Sequence, residues 1–535
     1  MKNKYFNIIL GTFLLCSCSD FLDTYPEGST ITEDQKKEAI EADPALLAAD
    51  VAAMNANMIA CFGVIPESEN HFDFGYAAAC LIMDCNGADM TSANIGYNWF
   101  GPNVEFSDRV YTNSRTLYMW KIFYNQIATA NLLLNNVPED TDDPALMAFR
   151  GMGLAVRAFD YLHLVQLFQF TYIGHENSPC VPIVTEKTTS EDAMNNPRAS
   201  VSAVYELIMK DLNEAIKLLE GYTRQDKGYV NQGVAYGLRA RANLLMGKWA
   251  EAAADAENAL KLTGATPYTL AEVSVPAFWN ANDKTVMWAN IITENNSIVL
   301  SSIINMPSHL CSFFTGGYVG VGVWRKISKP LYDKISPSDI RKQWWLNEDE
   351  ESTLCAGSAY DGWRATASSD GDFGAYTNVK FGADNNDLVK ITPAQDWFLM
   401  RAEEMIFIKA EGLAMSGNTT EAIKTLEDFI KANRNRSYTC PASTPAGIQD
   451  EIWLQRRIEL WGEGHSFFDI MRLKKPVTRI EFGESSFPAA WQFNIPAEDP
   501  ILLWRIPARE INANDGIAEA DNNEHAPTPI PTPVD

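Results

Sequence analysis

One pattern constrains the fold of this chain more than any other: pairs of apolar, helix-forming segments joined by a single glycine. In the first pair, Gly247 lies between the segments 231–246 and 249–262. In the second pair, Gly417 follows apolar residues at helical spacing and precedes small residues at the same offsets. Glycine suits the left-handed residue that commonly ends a helix, and alanine lets the second helix approach the first closely. The repeated positions are Leu244, Ala252, Ala256 and Leu260 in the first pair and Ala414, Ala422, Leu426 and Ile430 in the second.

These pairs resemble the tetratricopeptide unit, a helix–turn–helix repeat of about 34 residues. Apolar residues also recur every three to four positions at 111–136, 145–169, 201–220 and 446–473, which predicts further helices. Together the segments suggest about four helical pairs, interrupted by other sequence. A helical bundle without true repeats is the alternative, and the periodicity alone does not separate the two.

The stretch 266–395 interrupts the helical pattern. Glycine, asparagine, aspartate, serine and aromatic residues dominate there, and an apolar run at 285–289 predicts a short strand. A loop-rich region this long inside a compact protein is usually functional or poorly ordered. Its tryptophans favour packed loops over disorder.

The N-terminus predicts an exported lipoprotein. An apolar run at 6–15 follows two lysines and is too short to span a bilayer, which needs about 20 residues. The segment 15–18 matches a bacterial lipobox, and Cys18 would be the acylated residue that anchors the protein without spanning the membrane. The alternative is an ordinary secretory signal that leaves an unmodified cysteine.

Composition divides the chain into six expected segments. They are a signal peptide at 1–17, a lipidated N-terminus and tether at 18–45, an N-terminal helical region at 46–265, a loop-rich insertion at 266–395, a C-terminal helical region at 396–512 and a tail at 513–535. The tail is rich in asparagine and aspartate and ends in Pro-Thr repeats, which predicts a mobile segment.

Charge and motif content exclude several classes of function. A net charge of −26 argues against nucleic acid, which is bound by clustered lysine and arginine. The chain has six histidines, none in an H-E-x-x-H motif, and no G-x-S-x-G or Walker A sequence. The glycines at 317, 320 and 322 do not follow the dinucleotide-binding order, so we expect no cofactor there. We expect no metal either, because the chain has no H-E-x-x-H motif. Carboxylate pairs for glycoside hydrolysis remain open, because a sequence does not give the distance between them.

The segment 455–472 carries the most informative charges. The charged residues spaced about one helical turn apart are Arg456, Glu459, Glu463, Asp469 and Arg472. On a continuous helix the two glutamates would share a face with an arginine one turn before them, and Gly464 would end the helix after Glu463. This spacing predicts an ion-pair network that binds a C-terminal helical hairpin, with a catalytic role as the alternative.

The same segment resembles the C-terminal signature of the SusD/RagB family, roughly E-R-x-x-E-L-x-F-E-G-x-R-x-x-D-L-x-R. Gln455, Gly462 and Ser466 replace a glutamate, a phenylalanine and an arginine of that pattern, and we expect these departures to weaken the ion pairing. Other stretches that resemble the family lie at 21–23, 157–164, 401–411 and 506–512. Their order and spacing extend the resemblance over nearly the whole chain.

The resemblance implies a mostly α, SusD-like fold in which four tetratricopeptide-like helix pairs form a right-handed superhelical scaffold beneath a long loop-rich insertion. It also implies attachment to the outer membrane through a lipid, display to the exterior, and docking on a SusC-like TonB-dependent transporter. The implied ligand is an oligosaccharide or polysaccharide, bound without catalysis. A surface-anchored glycoside hydrolase and a tetratricopeptide scaffold that binds only protein are the alternatives.

In the family, the ligand surface often combines an early loop with the long insertion. The early loop of this chain, 89–100, contains Asn94, Tyr97, Asn98 and Trp99. Flat rings can cover the apolar faces of sugars, and amides can satisfy their hydroxyl groups. The expected ligand-binding residues are therefore Asn98, Trp99, Tyr318 and Trp324, with Trp363 in reserve. Core packing is the alternative for each tryptophan.

Overall fold

The computed structural model describes residues 39–40, 43–363 and 373–534. The signal peptide, the lipobox with Cys18 and most of the tether lie outside the described residues. The chain divides into a short N-terminal unit, Met1–Leu46, and a second unit, Leu47–Asp535, to which all the helices and strands named below belong.

The second unit is mostly helical. Its helices are α1 Ala48–Asn57, α2 Tyr76–Cys85, α3 Gly101–Glu105, α4 Ser114–Asn136, α5 Pro144–Phe168, α6 Ser190–Met194, α7 Val201–Leu218, α8 Gln232–Leu245, α9 Trp249–Thr263, α10 Ser297–Leu300, α11 Met306–Leu310, α12 Lys329–Asp333, α13 Ala402–Met415, α14 Thr419–Asn433, α15 Pro445–Glu459, α16 Ser466–Arg472 and α17 Ala508–Ile511. The helices predicted from periodicity are confirmed to within a few residues at their ends.

Side-chain caps define where several long helices begin. Asn113 accepts a hydrogen bond from the Arg115 backbone at the start of α4, and Asp143 does the same for two amides of α5. Ser200 and Asn231 cap α7 and α8 in the same way. Each cap satisfies a backbone amide that has no partner within its helix.

The long helices pack on one another in chain order, so that α4 meets α5, α5 meets α7, and α7 through α9 follow before α13 and α14. Gly247 and Gly417 have φ values of +70° and +91°, as expected for the residues that end the first helix of each hairpin. Ala252 and Ala422, which each lie five residues after one of these glycines, are fully buried. The two glycine-joined hairpins are therefore confirmed.

The described residues form three two-stranded antiparallel sheets, and two of them include a strand of the insertion. The strands are β1 Met90–Thr91, β2 Val286–Asn290, β3 Lys326–Ile327, β4 Trp397–Arg401, β5 Val477–Thr478 and β6 Asn494–Ile495. β2, the strand predicted at 285–289, pairs with β4 directly before α13. β1 pairs with β3, which sets the early loop beside the insertion.

The tail packs against the rest of the second unit, which the prediction of a mobile tail did not anticipate. Asn523 donates hydrogen bonds from Nδ2 to the carbonyls of Phe168 and Trp504, at 2.8 and 2.7 Å. The Thr532 amide donates to the Gln492 carbonyl at 2.7 Å.

Glu459 and Glu463 were predicted to lie on one continuous helix, but in the structure they do not. Helix α15 ends at Glu459, and Gly462 and Gly464, with φ of +81° and +83°, turn the chain. Glu463 therefore lies beyond the helix, and the prediction that the helix continues to it is wrong. The turn brings Glu459 and Glu463 together at one guanidinium: Arg401 donates to their carboxylates at 3.0 and 2.7 Å.

These acids belong to a buried ion-pair network. Its cations are Arg341, Lys380, Arg401 and Arg434, and its anions are Asp339, Glu403, Glu459 and Glu463. None of these eight residues is more than 8 % exposed to solvent. Three members come from the insertion and the others from the C-terminal helical region, so the network joins the two. Burial opposes ionisation of Glu459, but Arg434, Arg401 and Arg341 outweigh it and hold the pKa of that carboxyl well below its usual range.

The other predicted ion-pair residues form a second cluster. Asp469 accepts from Nε of both Arg456 and Arg472, each at 2.7 Å. Arg472 continues to Glu411 on α13 at 2.6 Å. This cluster holds α16 against α13 and α15.

The departures from the family pattern do not leave gaps. Gln455 accepts a hydrogen bond from Arg341 at 2.5 Å, and the Ser466 hydroxyl lies 3.2 Å from Asp89. A Cβ at Gly462 would lie 2.8 Å from the Phe381 ring, so only glycine fits there. At position 455, the hydrogen bond from Arg341 to Gln455 takes the place of the ion pair that a glutamate would make.

Candidate ligand-binding site

The early loop and the insertion meet because β1 and β3 pair, with Met90 opposite Ile327. The loop 92–99 follows β1, and the segment 311–325 leads into β3. The side chains of these two segments therefore converge on one region of the surface.

Arg325 fixes the shape of the early loop. Its guanidinium is fully buried and donates to Ser92 Oγ at 2.9 Å, to Asn98 Oδ1 at 3.3 Å and to the His309 carbonyl at 3.3 Å. Asn98 in turn donates to Ser92 Oγ and to the Ala93 carbonyl. We call Ser92, Asn98 and Arg325 the loop clamp.

The clamp removes Asn98 from the set of expected ligand contacts. Asn98 is 6 % exposed, and both ends of its amide are hydrogen-bonded within the protein. Its role in this structure is to close the loop, and the residues that the loop presents are its neighbours.

Aromatic rings stack beneath and beside the loop. His71 stacks on Trp99 with a centroid distance of 4.8 Å and an interplanar angle of 14°. Tyr318 stacks on His309 at 4.5 Å and 13°. A hydrogen bond between His71 Nδ1 and the Tyr318 hydroxyl joins the two stacks. The predicted residues Trp99 and Tyr318 are therefore brought together, although they are far apart in the sequence.

The part of the loop that faces solvent is apolar and aromatic. Tyr97 is 61 % exposed and Ile95 is 40 % exposed, while Trp99 and His71 are half-buried. We call the set His71, Ile95, Tyr97, Trp99 and Tyr318 the aromatic surface. Tyr318 is buried and supports it from below.

The aromatic surface carries no formal charge at neutral pH. Burial lowers the pKa of His71 below its ordinary value of 6.5, which keeps the imidazole neutral. Burial likewise raises the pKa of the Tyr318 hydroxyl, which keeps its proton. A neutral surface of rings and hydroxyl groups suits a neutral ligand with apolar faces.

Trp324 and Trp363 do not belong to this surface. Trp324 is 2 % exposed and packs on Phe373 with centroids 4.6 Å apart. Trp363 is 6 % exposed and contacts Phe313 and Phe373. The expectation that Trp324 offers a ring to the ligand is therefore corrected: both tryptophans pack in the interior of the insertion, as the alternative for tryptophan proposed.

The glycine-rich loop is shaped by close backbone contacts. A Cβ at Gly320 would lie 1.8 Å from the Thr315 carbonyl oxygen, and one at Gly317 would lie 2.6 Å from the Ser308 Cα. The Tyr318 amide donates to Ser308 Oγ at 3.0 Å. These glycines position Tyr318, the buried member of the aromatic surface.

We expect Gly320→Ala to cost about 1–3 kcal/mol of stability and to displace Tyr318, because the new methyl group overlaps the Thr315 carbonyl. Gly316→Ala is the matched control: Gly316 is exposed and its Cβ would meet only the Phe314 ring, at 3.3 Å. Thermal unfolding of both variants measures the difference. Equal melting temperatures for the two would contradict this explanation of the loop.

Three residues of the aromatic surface, Ile95, Tyr97 and His71, were not among the expected contacts. Tyr97 lies in the early loop but was not selected as a ligand contact, although its position beside Gly96 in that loop could have marked it. His71 lies outside the loop, and no local pattern marks it. Its position in the site is set by stacking on Trp99, which comes 28 positions later in the chain.

Among the described residues, no group of three or more histidine, cysteine, aspartate or glutamate side chains is placed to hold a metal ion. None of the helices in the described part of the chain combines the length and apolar character needed to cross a membrane.

Two family models match most of the chain. Residues 43–244 match a SusD-like model described as starch-binding and associating with the outer membrane, and residues 328–523 match the model of the SusD family. A SusD-like protein of Formosa agariphila, P38, is 24 % identical over 519 residues, which cover 88 % of this chain and 91 % of that protein.

Solved structures share the fold. A SusD-like carbohydrate-binding protein from Bacteroides vulgatus superimposes with a TM-score of 0.71 at 23 % identity, covering 90 % of this chain and 98 % of that one. A SusD superfamily protein from Bacteroides thetaiotaomicron gives 0.67 at 20 % identity and covers 92 % and 100 %. A laminarin-binding SusD-like protein gives 0.62 at 20 % identity and covers 90 % and 99 %.

Proposed function

Since the chain belongs to the SusD/RagB family, whose members are non-catalytic binding proteins, we propose that it captures an oligosaccharide or polysaccharide outside the cell. The glycan passes uncleaved to a SusC-like TonB-dependent transporter in the outer membrane. The aromatic surface is the observation that carries this proposal, because it offers uncharged rings on a loop held in place by a buried arginine.

Carbohydrate is supported as the ligand class by two independent features. The relatives include a starch-binding family model, a carbohydrate-binding protein and a laminarin-binding protein. In this chain, Tyr97 and Asn94 are exposed and Trp99 is half-buried in the same loop; aromatic rings can cover the apolar side of a sugar, and an amide can bind its hydroxyl groups.

Replacing Tyr97 or Trp99 with alanine should weaken glycan binding about tenfold or more, a loss of about 1.4 kcal/mol per tenfold change in the dissociation constant. Isothermal titration against ligands first identified on a glycan array measures the change. Because Tyr97 is 61 % exposed, its removal should leave the melting temperature unchanged.

Tyr222→Ala is the matched control, since Tyr222 is a half-exposed tyrosine in the connection between α7 and α8. It should bind the glycan as tightly as the wild type. Undiminished binding by both Tyr97→Ala and Trp99→Ala would remove the aromatic surface as the site. Trp324→Ala should lower stability, because its ring is buried.

The same purified protein decides between binding and hydrolysis. We expect the glycans that it binds to be recovered intact after prolonged incubation. Release of reducing ends by the pure protein would favour the surface-anchored glycoside hydrolase. Titrations that show no glycan binding, together with capture of a protein partner, would favour the tetratricopeptide scaffold.

The membrane anchor rests on the lipobox. We propose that Cys18 is acylated and that the protein faces the exterior, which is supported by the sequence of 15–18 and by the description of the matching family model. Metabolic labelling with a palmitate analogue should mark the wild type and not Cys18→Ala. Co-purification from outer membranes should recover the transporter with the wild type.

A further inference from the structure

A cavity of about 70 Å³ lies inside the helical region and shares no residue with the aromatic surface. Helices α5, α8, α13 and α16 supply most of its walls, and the segment between α15 and α16 closes one end. A buried water needs about 10–15 Å³ of cavity volume, so this cavity has room for about five waters or for one organic molecule of about five non-hydrogen atoms.

Apolar side chains form much of the cavity lining, and we call them the apolar wall. They include Phe159, Leu162, Leu244, Leu245, Phe398 and Phe468. Ordered water makes about three hydrogen bonds in a buried site, and a wall of this kind offers none. The wall therefore favours an occupant with a hydrocarbon portion.

The polar part of the cavity lining has unused hydrogen-bonding capacity. Arg456 is 5 % exposed and donates from Nε to Asp469, but its Nη1 has no hydrogen-bond partner. His465 also lines the cavity. Burial, with help from Arg456 and Arg241, lowers the pKa of His465 to about 4, so the ring is neutral at pH 7.

The neighbouring Arg241 is engaged in a two-pronged ion pair. It donates from Nε and Nη2 to the two carboxylate oxygens of Glu404, both at 2.7 Å, and from Nη2 to the Leu399 carbonyl. Arg456 differs from it in having a buried guanidinium nitrogen, Nη1, that has no acceptor. A buried donor without an acceptor costs roughly 1–3 kcal/mol, which an anionic oxygen would recover.

We propose that this cavity binds a short monocarboxylate, with the carboxylate at Arg456 and the hydrocarbon chain against the apolar wall. The volume limits the acid to about two or three carbons, because propionate already has five non-hydrogen atoms. An inorganic anion would leave the apolar wall uncovered, and a purely apolar molecule would leave Arg456 without an acceptor.

Saturation-transfer NMR with sodium propionate on the full mature protein tests the proposal. We expect saturable binding of propionate, and binding of propionamide, a neutral molecule of the same size, at least tenfold weaker. Sodium chloride at equal ionic strength should not displace propionate. Propionate binding no stronger than that of propionamide would overturn the proposal.

Leu245→Phe places a larger side chain on the apolar wall and should weaken propionate binding at least tenfold while glycan binding persists. Tyr97→Ala should retain propionate binding, so that failure of the glycan site and failure of the cavity are distinguished. A crystal structure grown with propionate needs no variant: the acid in the cavity supports the proposal, and water alone there overturns it.

Discussion

Glu459→Ala should lower the free energy of unfolding by about 3–5 kcal/mol, the range found when one partner of a buried ion pair is removed. Glu459 is fully buried and accepts hydrogen bonds from Arg434 at 2.7 Å and Arg401 at 3.0 Å. The substitution leaves these guanidinium groups buried with too few acceptors. Urea unfolding of the wild type and the variant measures the loss.

Asp428→Ala is the matched control for a carboxylate in an ion pair. Asp428 and Lys424 lie 2.5 Å apart on the exposed face of α14, with side chains 65 % and 62 % exposed. Exposed pairs contribute about 0–1 kcal/mol, so the control should change the unfolding free energy little. Losses of similar size in both variants would show that the buried network has no special role.

Acidification from pH 7 to pH 4 should destabilise the wild type through His163. Both nitrogens of this buried ring are engaged, one with the Tyr76 hydroxyl at 2.9 Å and one with the Phe159 carbonyl at 2.7 Å. Burial lowers the pKa of His163 to about 3, whereas histidine in an unfolded chain titrates near 6.5. Between these values the unfolded state binds more protons, so stability falls as the pH falls.

The expected contribution of His163 is on the order of 3 kcal/mol between pH 7 and pH 4. Burial raises the pKa of Asp84 to about 8, which acts in the opposite direction over the same range, so the comparison must be made between variants. His163→Gln keeps a donor and an acceptor but does not titrate. Its stability should fall less than that of the wild type on acidification. Parallel curves of unfolding free energy against pH would contradict this assignment.

Local patterns were sufficient to predict where most of the long helices lie. The hairpins at Gly247 and Gly417 were predictable because a glycine with positive φ and the small residues after it lie within one short stretch of sequence. The strand at 286–290 was marked by its own apolar run. In these cases the signal and the structure that it specifies occupy the same residues.

The charge network was predicted only in outline. Glu459 and Glu463 were identified as ion-pair residues, but helical spacing gave the wrong geometry because the helix ends at Glu459 and Gly462 turns the chain before Glu463. Their partner Lys380 comes from the insertion, 83 positions away from Glu463. No spacing rule connects residues that meet only when two regions pack together.

The aromatic surface shows the same limit. Trp99 and Tyr318 were selected, yet nothing in the sequence separates them from Trp324, whose ring is buried against Phe373. Exposure is decided by which ring another segment covers. His71 was missed because the Tyr318 hydroxyl that it contacts lies 247 positions away.

The loop clamp holds the early loop in place independently of the exposed residues that the loop carries. Ser92 and Asn98 are held by Arg325 at the two ends of the early loop, while the residues between Ala93 and Asn98 contribute exposed side chains and little to the interior. On the proposed function, substitutions confined to 94–97 should therefore change which glycan is bound and leave the fold intact. Natural variation could then alter the ligand preference at these four positions in steps, and new sequences could be engineered there without disturbing the clamp.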